Sequence, residues 1–154
     1  MKKPEPLQLL NENIKDLEDA LAWLRRSFNI CSENFNLEDL SPEGMDAFEG
    51  FTSRFARVSD ILFSKVFRSL VYIEEGEPRS WLDVLLYMEK KGVIDDASAA
   101  RVIKELRNEI VHEYSVSEIT KLFGEVLKQC PTLFTYAESA IQEAEILRKK
   151  LQDR

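Results

Sequence analysis

The chain has a single histidine and only two cysteines. Cys31 and Cys130 lack the close spacing of zinc ligands or of a disulfide framework, which suits reduced thiols in a cytosol and argues against a secreted scaffold. Glycine and proline are scarce, five of each, which excludes collagen-like and disordered compositions and leaves room for long helices with few breaks. No segment alternates apolar and polar residues with period two, so the strand signal is missing. No uncharged apolar run approaches the roughly 18 residues of a membrane span, and Asn11, Glu12 and Asn13 interrupt the N-terminal stretch before a signal core forms. The expectation is a cytoplasmic protein without a membrane partner. An excess of cations is absent too: 21 Lys and Arg stand against 28 Asp and Glu, a net charge of −7. Attraction to a phosphate backbone therefore has to come from a local basic patch.

What is present is helical periodicity. Leu7, Leu10, Ile14, Leu17, Leu21, Leu24 and Phe28 recur at spacings of three and four, predicting a first helix from Glu5 to Ile30. Ser41 and Pro42 open a second, on which Phe48, Phe51, Phe55, Val58, Leu62, Val66, Leu70 and Ile73 share a face until Gly76 and Pro78 stop it. Ser80 opens a short third helix closed by Gly92. A fourth starts after Asp95 or Asp96 and runs to about Glu113, with Val102, Ile103, Leu106 and Ile110 on its apolar side. A capping box at Ser115 to Glu118 opens a last helix toward Gln152, with a kink expected at Pro131. With 154 residues, the expectation is one helical domain over residues 1–154. Its fold class is all-α, an up-and-down bundle of four long helices plus a short one.

The histidine lies in "ELRNEIVHEY", residues 105–114. On the wheel of the fourth helix His112 points away from the apolar arc, Arg107 lies near its edge beside Ile103 and Val111, and Arg101, Lys104 and Asn108 share the half that His112 occupies. A buried core histidine is thereby disfavoured, while an exposed bystander and a catalytic group both fit. On the second helix Arg54, Arg57, Lys65 and Arg68 fall opposite the phenylalanines, with Ile61 between them. A solvated outer face and a local phosphate-binding surface both fit that stripe. Glu109 and His112 have the Glu-x-x-His spacing of carboxylate-bridged di-iron bundles, but such sites need the pair from two helices and this chain has one histidine, so no metal site is expected. Glycine-rich phosphate loops, HExxH and paired CxxC are missing.

"RNEIVHEY" fits the pattern Arg-x4-His-x-Tyr. In a short all-α chain this resembles the HEPN domains, especially the HepT-like toxins paired with MNT-type nucleotidyltransferase antitoxins. The resemblance implies a HEPN-like bundle acting as a homodimer and a metal-independent endoribonuclease without cofactor. It also implies Arg107 and His112 as catalytic residues in a cleft at the two-fold interface. Asn108, directly after the arginine, would orient the histidine ring or the phosphate. Tyr114 matches the tyrosine that the partner nucleotidyltransferase modifies with AMP in that family. Arg54, Arg57, Lys65, Arg68 and Lys104 are the candidate RNA-binding cations. Relatives of these small proteins also serve as non-catalytic substrate-binding or adaptor subunits of nucleotidyltransferases, which is the alternative reading.

Overall fold

The computed structural model describes residues 5–112 and 115–153. Among these, α1 spans Pro6–Asn34, α2 Pro42–Ser59, α3 Phe67–Glu75, α4 Trp81–Lys90, α5 Ala97–Ile110 and α6 Val116–Gln152, and a π-helical segment, Asp60–Val66, joins α2 to α3 without a break. The described residues contain no strand. The result is the expected all-α bundle of four long rods and one short one, the second rod being α2, the π segment and α3 together.

Local chemistry sets the ends. Ser41 accepts a hydrogen bond from the Gly44 amide at 3.0 Å, with Pro42 in the first turn, where a missing N–H costs nothing. Ser80 accepts from the Asp83 amide and Asp96 from the Ser98 amide. At the head of α6 the capping box is complete: Ser115 accepts from the Glu118 amide, and the Glu118 carboxylate accepts from the Ser115 amide. Gly76 and Gly92 both take positive φ, the conformation that stops α3 and the chain after α4.

The structure corrects four expectations. First, α1 continues past Ile30 to Asn34. Cys31 extends the apolar stripe, and Ser32 and Asn34 donate to the Phe28 and Ile30 carbonyls, satisfying the last turn. Second, the middle of the second rod is π-helical, a wider turn that changes which residues face inward. Ile61, read as lying between the cations of the outer stripe, is buried. Third, α5 ends at Ile110, and Val111 and His112 belong to the corner that reverses the chain into α6. Fourth, Val102, assigned to the apolar side of that helix, is exposed. Pro131 lies on the exposed side of α6, and the helix runs on through it.

Packing closes over one hydrophobic cluster to which every rod contributes. Rod α1 lies along the second rod and on α6, while α5 is held between α2, α4 and α6. The stacked rings of Phe48 and Phe123, 5.0 Å between centroids, tie α2 to α6 at the centre. Asn13 and Ser69, both buried, pair with each other so that neither is left without a partner. This packing fixes α5 against α2 and turns Arg107 toward the head of the π segment.

Candidate functional site

Arg107 stands on the last turns of α5 and is half-buried. Its Nε donates to Asp60 Oδ1 at 2.7 Å and its Nη2 to Asp60 Oδ2 at 2.9 Å, a two-point pair between planar groups. The hydrogen bonds it donates to Asp60, and then the charge of that carboxylate, hold the guanidinium above its ordinary pKa range. Nη1 makes a longer contact of 3.4 Å to Asn108 Oδ1. Since a guanidinium offers five N–H donors, its outer edge keeps donors that no described residue uses.

These residues border a hollow of about 220 Å³ shared with Ser59, Phe63, Ser64, Trp81 and Lys104. The Lys104 ammonium lies 3.7 Å from the centre of the Trp81 ring, a cation over an aromatic face. Lys104 is thus held one turn from Arg107, and both cations are presented to the same space. Ser59 is 2% exposed, and its hydroxyl has no hydrogen-bond partner. A buried hydroxyl without a partner costs about 1–3 kcal/mol, and this one borders a hollow lined by two cations. The Lys104 ammonium and the unused donors of the Arg107 guanidinium thus stand beside one small space, with the buried Ser59 hydroxyl behind its wall. Asp60 supplies the counter-charge that keeps it from being purely cationic.

The other sequence candidates fall in different places. Asn108, the residue after Arg107, accepts a long contact from it and borders the same hollow. His112 is exposed at the corner after α5, its amide bonded to the Glu109 carbonyl, and it is not among the residues of the hollow. Tyr114 lies outside the described residues. The basic stripe is divided. Arg54 donates to Ser27 Oγ at 2.7 Å and lies over the Trp23 ring, and Arg57 shares a separate hollow with Asp19 and Trp23. Lys65 and Arg68 border another hollow beyond the π segment, where Arg68 pairs with Glu77 at 2.9 Å. Among the described residues no group of three or more His, Cys, Asp or Glu is gathered as a metal would require. Both cysteines are buried, and burial pushes their thiols up, Cys31 to about 11.

Sequence reasoning missed Asp60, Ser59 and Trp81. The one available signal was the acid inside the apolar run "VSDILF", since a carboxylate among core residues usually has a partner.

Comparison of the chain with protein-family models, with curated proteins and with solved structures found no match. The chemistry of the site has to be read from its own residues.

Proposed function

We propose that the chain is a metal-independent RNA endonuclease that acts as a dimer and is the toxin partner of a nucleotidyltransferase antitoxin. The observation that carries this reading is the hollow in which Arg107, the first residue of the Arg-x4-His segment, stands beside a second cation, Lys104, and beside Asn108. In the reaction, the 2′-oxygen of the substrate forms a bond to phosphorus while the bond from phosphorus to the 5′-oxygen breaks. His112 takes the 2′ proton and returns one to the departing 5′-oxygen, and Arg107 neutralises charge gathering on the non-bridging oxygens. The products carry a 2′,3′-cyclic phosphate and a 5′-hydroxyl.

Two further features support the dimer. His112 is exposed and stands outside its own chain's hollow, so a shared site needs a second copy to complete it. Val111 and Val116, on either side of the corner, are 65% and 72% exposed, apolar surface of the kind that association buries. Neutralisation by AMP transfer to Tyr114 would add negative charge and bulk two residues from His112.

The test is incubation of purified protein with single-stranded RNA in the presence of a chelator. Cyclic-phosphate ends should form with wild type and vanish with Arg107→Ala and with His112→Ala, each variant retaining its helical content. One observation favours a second reading, a non-catalytic adaptor for a nucleotidyltransferase: Arg107 is already occupied by Asp60. Intact RNA with all three proteins, together with capture of the nucleotidyltransferase, would select the adaptor.

A further inference from the structure

A second hollow, of about 700 Å³, opens between the start of α1, the π segment and α3. Ser64 borders both this hollow and the one that holds Arg107, so the two adjoin across the π segment. Leu9 and Tyr72 turn apolar faces into it, 40% and 46% exposed. Beside them lies the buried pair Asn13 and Ser69, in which Asn13 Nδ2 donates to Ser69 Oγ at 3.0 Å.

The charge around this space limits what it can take. Lys65 and Arg68 are balanced by Glu5 and Glu77, so it is close to neutral and unsuited to a multiply charged group. Arg68 is engaged with Glu77, but both side chains are largely exposed, and such a pair yields readily to a phosphate. An aromatic face, an amide and hydroxyl, and two cations fit a flat polar ring carrying one phosphodiester. The volume suits a ligand of that size.

The geometry points to this hollow as the subsite for the nucleotide next to the cleaved phosphate, an inference that rests on the RNA-cleaving reading. The base lies on Tyr72 with its edge toward Asn13 and Ser69. Its phosphate faces Lys65 and Arg68, and the strand crosses Ser64 to reach Arg107. Stacking on an aromatic side chain accepts any base, so the subsite gives grip without strong sequence preference.

The test measures fluorescence anisotropy with a short 2′-O-methyl oligoadenylate, which cannot be cleaved, and with the same strand carrying abasic positions. Wild type should hold the base-bearing strand about tenfold more tightly, the loss expected for one stack. Tyr72→Ala should erase that difference with an unchanged circular dichroism spectrum, and Tyr72→Phe should keep it. If Tyr72→Ala keeps the full preference, or wild type binds both strands equally, while Arg107→Ala weakens binding, the subsite is wrong and the RNA reading survives. If wild type binds neither strand, the RNA reading fails and the subsite with it.

Discussion

Arg107 and Asp60 are locked together by two parallel hydrogen bonds although 47 residues of chain separate them. Their side chains are 32% and 48% exposed, so water screens the pair and little stability depends on it. Its effect is on direction: the carboxylate holds the inner edge of the guanidinium and leaves the outer edge to the hollow. Asp60→Ala is expected to leave the melting temperature within a few degrees of wild type. On the proposed RNA-cleaving reading it should lower KM, because a negative charge has left the hollow that would take the phosphate, and lower kcat about tenfold, because Arg107 has lost its orientation. A fall in kcat/KM carried by KM alone would contradict this role.

Phe48 is fully buried, stacked on Phe123 and edge-on to Phe51 and Phe35. Phe48→Ala removes the ring that joins α2 to α6 and should cost about 3–5 kcal/mol, read as a lower urea midpoint at unchanged slope.

Ser115 both accepts from the Glu118 amide and, through its own amide, donates to the Glu118 carboxylate. Ser115→Ala breaks one arm of the box and should cost about 1 kcal/mol. Hydrogen exchange should rise at residues 116–119 and nowhere in the middle of α6, since the missing cap affects only the first turn.

Burial raises the Cys31 thiol from 9.0 to about 11 and shifts Cys130 further in the same direction. The folded chain therefore binds protons that the unfolded chain releases above pH 9. Stability from this source is complete below that value and declines as pH climbs toward 11. Native protein at pH 8 should not react with a thiol reagent, and both sites should react on denaturation. Replacing both residues with alanine should flatten the alkaline part of the stability profile.

The helices and their starts were legible because they are local. Ser41, Ser80 and Ser115 announce their caps within four residues, and the apolar spacing of Leu10 to Leu24 or Phe48 to Val58 states which face is buried. Arg107 and Asn108 could be singled out because they are neighbours in one motif. Asp60 could not be assigned to Arg107, nor Trp81 to Lys104, because those pairs are set by how α5 packs on the second rod. The end of α5 was misplaced for a related reason. Val111 and His112 keep a helical pattern, but the extended Ser115 that caps α6 requires the chain to turn before it.

The π segment divides the second rod into two halves. Arg54 and Arg57 lie against Asp19 and Trp23 in the middle of α1, while Lys65 and Arg68 border a separate hollow at its start. Each half can therefore vary independently: a charge gained or lost before residue 60 alters one surface, and a change after residue 64 alters another. A single continuous rod thus behaves on the outside as two separately adjustable modules.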